Sequence, residues 1–148
     1  MLLRALPEIL LVDDNPADID LTSEVLASTK RSYHVNAVYD GTEAISFLRR
    51  TGKYAKVPAP DLVVLDLNLP RKDGRAVLSE IKADPLLSRT PVVVFTTSQA
   101  SSDIARSYEL GANCYLRKPG NLRDFVAAVQ SMADFWLGHA SLPQKEGK

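Results

Sequence analysis

The sequence predicts an α/β protein built on a five-stranded parallel sheet with helices on both faces. Two observations lead to this prediction. Five short apolar runs recur along the chain, and longer segments with helical periodicity separate them. The third run has four consecutive apolar residues, Leu62 to Leu65, between Pro-Asp and Leu-Pro, which is typical of a strand covered on both faces, as in parallel sheets. Alternation of strands and helices with right-handed crossovers makes a doubly wound sheet the expected architecture.

Each predicted strand is short and ends in polar or turn-forming residues. The strands are 8–12 (EILLV), 34–38 (HVNAV), 61–65 (DLVVL), 91–95 (PVVVF) and 113–117 (NCYLR).

The predicted helices begin at residues that can cap them. Asn15 followed by Pro16 is typical of a helix start, and Asp40 with Glu43 three residues later resembles a capping box. The other expected caps are Asp73, Ser101 or Ser102, and Asn121. The expected helix ends are Asp84-Pro85 and Gly111.

The composition excludes several classes of protein. The chain has 148 residues, of which 45% are hydrophobic, and this suits one globular domain. Eighteen basic residues balance eighteen acidic ones, so no net charge favours nucleic acid or an anionic membrane. Without a membrane-length apolar run or a signal-peptide cleavage pattern, a cytoplasmic location is expected. Residues 1–138 are expected to form the domain, and 139–148 a partly disordered tail with no output domain.

Acidic residues follow two of the predicted strands. Asp13 and Asp14 come after the first strand, and Asp66 comes after the third. In the flavodoxin-like strand order 2-1-3-4-5 these strands are neighbours, so the carboxylates meet at the edge where open α/β sheets bind ligands. Close carboxylates raise one another's pKa unless a cation is bound, and Mg²⁺ prefers such oxygen ligands. Simple helix capping is the alternative for Asp13 and Asp14.

Two other polar side chains are expected at the same edge of the sheet. Thr96 ends the fourth strand and Lys118 follows the fifth. A phosphoryl group on Asp66 would need cationic and hydrogen-bonding support for its outer oxygens, which a metal ion, a lysine and a hydroxyl supply. Threonine is also an ordinary strand residue and Lys-Pro an ordinary loop pair. Their joint occurrence at four strand ends favours the phosphoryl interpretation.

With these motifs, residues 8 to about 137 resemble the receiver domain of two-component response regulators. The resemblance rests on Asp13-Asp14, on Asp66 followed by LPRKDG, on Thr96 and on Lys118-Pro119. It implies that Asp66 accepts a phosphoryl group from a sensor histidine kinase. It also implies that Mg²⁺ is held by Asp14, Asp66 and the main-chain oxygen of Asn68, with Asp13 acting mainly through water. Thr96 and the ring of Tyr115 would then form the switch.

Several longer phrases are similar to the single-domain regulators that serve bacterial phytochromes. These phrases are LDLNLPRKDGR, TTSQA and SYELGANCYLRKP, together with the long loop at 51–61. They imply a bacteriophytochrome as the kinase. The chain departs from the family pattern at Gly120, where a bulky apolar residue usually follows Lys-Pro.

The chemistry of this chain is expected to be confined to phosphoryl transfer onto and off its own Asp66, so the chain is not predicted to be an enzyme. Its output is expected through contacts with an unknown downstream protein.

The alternative function is a phosphatase of the haloacid dehalogenase type, which also uses a strand-end aspartate with Mg²⁺. That class needs a second acid two residues after the nucleophile to protonate the leaving group. Asn68 stands at this position and cannot donate a proton in this way. A dinucleotide-binding enzyme is disfavoured because the glycines form no Gly-x-Gly pair.

The last predicted helix carries two apolar stripes. One stripe is expected to cover the sheet: Leu122, Phe125, Val126, Val129, Ala133 and Trp136. The second is expected to form a homodimer interface: Ala128, Met132 and Phe135, together with Leu137 and Leu142. The alternative is that the tail folds back over the second stripe.

Overall fold

The sheet has five parallel strands in the predicted order β2-β1-β3-β4-β5. A computed structural model describes residues 6–29 and 31–143. The strands are β1 (Glu8–Val12), β2 (His34–Val38), β3 (Leu62–Leu65), β4 (Val92–Thr96) and β5 (Cys114–Arg117). The helices are α1 (Pro16–Ala27), α2 (Gly41–Arg49), α3 (Gly74–Ala83), α4 (Ser101–Glu109) and α5 (Leu122–Ala133). A short 3₁₀ turn spans Gly52–Tyr54, and a π-helical turn, Asp134–His139, continues α5.

Parts of two predictions fall outside the described residues. The first five residues of the predicted domain and residues 144–148 of the predicted tail are not among them. In the described part of the chain, no helix is both long and apolar enough to cross a bilayer.

Alternate residues of the central strands supply two separate apolar cores. Leu10 and Val12 of β1 face α2 and α3, whereas Ile9 and Leu11 face α1 and α5. All four are at most 2% exposed. This alternation follows from the pleat of a strand, and it explains why β1, which is buried on both faces, has no polar face.

Side chains cap four of the five α-helices as predicted. Asn15, Asp40, Asp73 and Asn121 each accept backbone N–H groups from the first turn of their helix. The prediction for α4 was wrong. That helix has Ala100 at its N-cap with no side-chain hydrogen bond, and the nearby Ser98 hydroxyl accepts the Ala100 N–H at 3.3 Å.

Gly111 ends α4 as predicted, with φ of 105°. Its N–H donates to the Tyr108 carbonyl, and the Ala112 N–H donates to the Ser107 carbonyl, both at 3.0 Å. This pair of bonds is a Schellman motif, which requires a left-handed residue and therefore favours glycine.

The register of α5 differs from the predicted stripes. Met132 is only 4% exposed and belongs to the core between α1, α5 and the sheet, so the prediction that it lies on a surface stripe was wrong. Leu122 is 65% exposed and does not cover the sheet. The buried face runs instead through Phe125, Val129, Met132 and Ala133. Of the second stripe, Phe135 is exposed, and Ala128 and Leu137 pack partly on the core.

Candidate active site

The carboxyl ends of four strands meet at one edge of the sheet. Backbone bonds continue the ladders one residue past the strands: Asp13 N–H to Val38 O at 3.2 Å, Asp66 N–H to Val12 O at 2.9 Å and Lys118 N–H to Thr96 O at 2.7 Å. The four polar residues at these ends, Asp13, Asp66, Thr96 and Lys118, are all 7% exposed or less. The sequence predicted each of them, and the structure brings them together.

Three carboxylates at this edge form a group that fits a divalent cation. One oxygen from each of Asp13, Asp14 and Asp66 lies within 4.8 Å of the others. Asp14 is exposed, whereas Asp13 and Asp66 are buried, so the group opens to solvent on one side. An all-oxygen donor set with room for water is typical of Mg²⁺ sites.

Backbone N–H groups in the turns after β1 and β3 orient the carboxylates of Asp13 and Asp66. Asp13 Oδ1 accepts the Asn15 N–H at 3.0 Å, and Asp66 Oδ1 accepts the Asn68 N–H at 3.1 Å. The second of these turns holds the Asn68 backbone beside Asp66. Coordination by the Asn68 main-chain oxygen stays a prediction.

Lys118 contacts three carboxylates, two of which belong to the cation-binding group. Its ammonium is 2.5 Å from Asp13 Oδ2, 2.8 Å from Asp18 Oδ2 and 3.0 Å from Asp66 Oδ2. Sequence analysis missed Asp18. An acid in the first turn of a helix is common because it suits the helix dipole, so no sequence signal separates Asp18 from ordinary surface acids.

Burial and charge act in opposite directions on the titrating groups. Burial raises the pKa of Asp13 to about 6, although the hydrogen bond from Lys118 opposes the rise. Burial alone would lower the pKa of Lys118, but hydrogen bonds to Asp13 and Asp18 outweigh it and raise the pKa above its usual value. Several carboxylates share the one ammonium, so its charge does not offset the effect of burial on the pKa of Asp13. The carboxylates together, in contrast, outweigh the effect of burial on the pKa of Lys118.

The predicted switch residues lie on both sides of the β4–α4 loop. Thr96 Oγ1 donates to Asp66 Oδ1 at 2.8 Å. Tyr115 packs partly against the core formed with α2 and α3, on the opposite face of β5 from Leu116. Its hydroxyl donates to the Ser98 carbonyl at 3.0 Å. Thr96 and Tyr115 are therefore linked through the two residues that follow Thr96.

Gly74 allows α3 to begin against the strand end that carries Asp66. A Cβ at this position would lie 2.3 Å from the Asp66 carbonyl oxygen and 2.5 Å from Leu67 Cα. The Gly74 N–H donates to the Leu67 carbonyl at 2.9 Å, which closes the β3–α3 loop. At Gly120, in contrast, an added Cβ would meet no described atom within 4 Å.

The chain belongs to the response regulator receiver domain family, whose model matches residues 9–130. It is 49% identical over 135 residues to the response regulator Rcp1 of Synechocystis sp., and the match covers 91% of this chain and 92% of that protein. The crystal structure of the phosphorylated cyanobacterial phytochrome response regulator RcpA matches with a TM-score of 0.92 at 50% identity, covering 95% of this chain and all of that one. The Mn²⁺-bound form of Rcp1 matches with a TM-score of 0.91 at 48% identity, covering 93% and 99%.

Family membership confirms the predicted fold and class of function. The protein is a two-component response regulator related to phytochrome response regulators, and its partner class is a histidine kinase. Receiver domains bind Mg²⁺ at an acidic site, and the group of Asp13, Asp14 and Asp66 fits such a site; the related Rcp1 holds Mn²⁺ in its crystal structure. The phosphatase alternative finds no support, since Asn68 lacks the proton that such an enzyme must donate.

Proposed function

We propose that Asp66 is the phosphoacceptor of this response regulator and that a histidine kinase supplies the phosphoryl group. One observation carries the proposal: Asp66 is the carboxylate that both the Lys118 ammonium, at 3.0 Å, and the Thr96 hydroxyl, at 2.8 Å, contact. The two donors approach different oxygens of Asp66, so both stand near an incoming phosphoryl group.

The transfer needs a nucleophile, charge neutralisation and a leaving group. A carboxylate oxygen of Asp66 forms a bond to phosphorus, the P–N bond to the kinase histidine breaks, and the electron pair stays on the imidazole nitrogen. Attack by water later returns the carboxylate and releases inorganic phosphate. Mg²⁺ held by the carboxylates of Asp13, Asp14 and Asp66 would supply positive charge for the phosphoryl oxygens, and Lys118 and Thr96 would donate hydrogen bonds to them. The protein then acts on no substrate other than its own Asp66.

Labelling with acetyl phosphate tests the acceptor. Wild-type protein with Mg²⁺ should gain one base-labile phosphoryl group by intact-mass spectrometry, and Asp66→Asn should gain none. Asp20→Asn, an exposed acid on α1, is the matched control and should label like the wild type. Chelation of Mg²⁺ should slow labelling strongly, because the carboxylates otherwise repel the anionic donor. Labelling that persists in Asp66→Asn excludes the assignment.

Thr96 and Tyr115 are proposed to couple phosphorylation to the α4–β5 surface. A phosphoryl group on Asp66 would draw the Thr96 hydroxyl, and with it the loop residue Ser98 that binds the Tyr115 hydroxyl. Thr96→Ala should leave Asp66 able to accept the group but weaken the change at Tyr115. NMR spectra of the Tyr115 ring that are the same in both states of the wild type would refute this coupling.

A bacterial phytochrome is the proposed kinase, because of the likeness to the phytochrome response regulator RcpA. We also propose a cytoplasmic location, because a histidine kinase takes its phosphoryl group from cytoplasmic ATP and its partner must reach it there. Phosphotransfer from a purified phytochrome kinase should be faster than from an unrelated histidine kinase at equal concentration. Equal rates would argue against this partner.

A homodimer is proposed through the end of α5. Phe135 is 53% exposed, and its ring packs edge-on against Trp136 with the ring centroids 5.2 Å apart, so the π-helical turn carries an exposed aromatic side chain. Phe135→Glu should convert a dimer into a folded monomer in light scattering. Leu86→Glu is the control, because Leu86 is 91% exposed on the segment after α3. A monomeric wild type, phosphorylated or not, would end this proposal.

A further inference from the structure

The side chain of Lys118 is almost completely buried and uses all of its hydrogen-bonding capacity. An ammonium group has three N–H donors, and here three carboxylate oxygens lie within hydrogen-bonding distance. The lysine side chain is 4% exposed, so water has little room to replace a lost partner. The three carboxylates that contact the ammonium therefore set the directions of its N–H groups.

Asp18 differs from the other two partners of the lysine. Asp66 loses its carboxylate charge when it becomes an acyl phosphate, and Asp13 belongs to the group of oxygens that fits a cation. Asp18 is outside that group, and it lies on the first turn of α1 rather than at a strand end. Of the three carboxylates that contact Lys118 among the described residues, Asp18 is the one that belongs neither to the cation-binding group nor to the proposed phosphorylation site.

The first turn of α1 holds Asp18 in place. The Asp18 N–H donates to Asn15 Oδ1 at 3.2 Å, and the Asn15 N–H in turn donates to Asp13 Oδ1 at 3.0 Å. The Asp18 side chain is 25% exposed, so it closes the outer side of the lysine site while water still reaches part of it. A helix cap thus connects the metal-binding acid to the acid that holds the lysine.

We infer that Asp18 is a positioning residue for phosphoryl transfer: it holds the Lys118 ammonium over Asp66 from the α1 side. The inference rests on the proposed role of Asp66. Since Asp18 lies outside the cation-binding group, its effect on the reaction passes through the lysine. Interaction with the helix dipole is the alternative role, and it would not depend on Lys118.

The first experiment measures the lysine directly, without Mg²⁺ or phosphodonor. Protein carrying ¹⁵N-lysine should give a resolved, slowly exchanging ammonium signal for Lys118, assigned by its loss in Lys118→Arg. The signal should broaden or shift in Asp18→Asn. It should stay in place in Asp20→Asn, a substitution of the same type at an exposed position on the same helix.

The second experiment measures the rate of labelling by acetyl phosphate with Mg²⁺. Asp18→Asn should be slower than the wild type by about three- to tenfold, the effect of weakening one partly exposed charge-assisted hydrogen bond. Asp18→Glu should recover much of the rate and the lysine signal, because it keeps the carboxylate. Asp20→Asn should react within about twofold of the wild type.

Two outcomes would overturn the inference. One is a Lys118 signal in Asp18→Asn that equals the wild-type signal, whatever the rate does. The other is a rate in Asp18→Asn that is unchanged or faster, which would mean that Asp18 acts only as a repelling charge. Failure of the proposed function is a separate result, because wild-type protein would then take up no phosphoryl group while the lysine signal still reports on Asp18.

Discussion

Replacement of Asp13 by asparagine should stabilise the metal-free protein while it impairs the metal site. Burial raises the pKa of Asp13 from 3.8 to about 6, so above this pH the folded state carries a carboxylate that it holds less well than the unfolded chain does. That difference corresponds to at most about 3 kcal/mol. Asn15 and Lys118 donate to different oxygens of Asp13, and asparagine has only one oxygen acceptor. That oxygen can accept from Lys118, but the asparagine NH₂ group would then face the Asn15 N–H, and the lost hydrogen bond offsets about 0.5–1.5 kcal/mol of the gain. We expect Asp13→Asn to raise the free energy of unfolding by about 1–2 kcal/mol at pH 7.5 in EDTA.

The pH dependence has a definite sign. Between pH 6 and 3.8 the folded protein binds a proton on Asp13 that the unfolded chain does not yet bind, so this group adds stability as the pH falls. The advantage of Asp13→Asn should therefore be full above pH 6 and should close towards pH 4. Saturating Mg²⁺ should reverse the order at pH 7.5, because binding at 100 times Kd stabilises the wild type by about 2.7 kcal/mol.

Urea unfolding followed by circular dichroism measures these differences. Wild type, Asp13→Asn and the exposed control Asp20→Asn are compared at pH 7.5 and 5, each in EDTA and in Mg²⁺. The control should stay within about 0.5 kcal/mol of the wild type. The reasoning fails if Asp13→Asn is less stable than the wild type in EDTA at pH 7.5, or if its advantage does not change with pH.

Three further predictions follow from single contacts. Gly74→Ala should lower the free energy of unfolding by about 1–3 kcal/mol or more and slow phosphorylation, since its Cβ would lie 2.3 Å from a backbone oxygen. Gly120→Ala is the control and should be nearly neutral, because the space there is open. Equal losses of stability in the two variants would contradict this explanation. Ser107→Ala should stabilise the protein by about 0.5–1 kcal/mol in urea unfolding, because the buried Ser107 hydroxyl has no partner among the described residues; a loss would reveal a missed hydrogen bond. Hydrogen bonds from the Ser98 hydroxyl and from Arg75 lower the pKa of Asp103, so Arg75→Met should raise this pKa in an NMR titration. The stabilising contribution of the Arg75–Asp103 contact should be lost as the pH falls through the folded-state pKa of Asp103. An unchanged Asp103 titration would show that Arg75 contributes nothing.

The α5 helix illustrates how far periodicity alone can go. Its apolar residues occur at three- and four-residue steps along two stripes, and sequence analysis assigned the wrong stripe to Met132 and Leu122. A helix must turn one face to the sheet, but the rotation depends on how α1 and β1 pack beside it. Met132 meets that core at 4% exposure, whereas Leu122 at the first turn lies beyond it.

The sequence by itself determined the strands, their order and four of the residues at the site. Apolar runs specify buried parallel strands, and parallel strands must end at one edge, so polar residues directly after them converge whatever the details of packing. Asp13, Asp66, Thr96 and Lys118 follow from this rule.

Only the tertiary structure decided the contacts that no strand end controls. Asp18 contacts Lys118, 100 residues away in the sequence, because α1 packs beside the carboxyl ends of the strands. The N-cap of α4 is Ala100, whose N–H donates to the Ser98 hydroxyl. Such contacts depend on the rotation of a helix and on side-chain direction. Local sequence constrains these only weakly, because many first-turn acids and loop serines are equally compatible with the same helices.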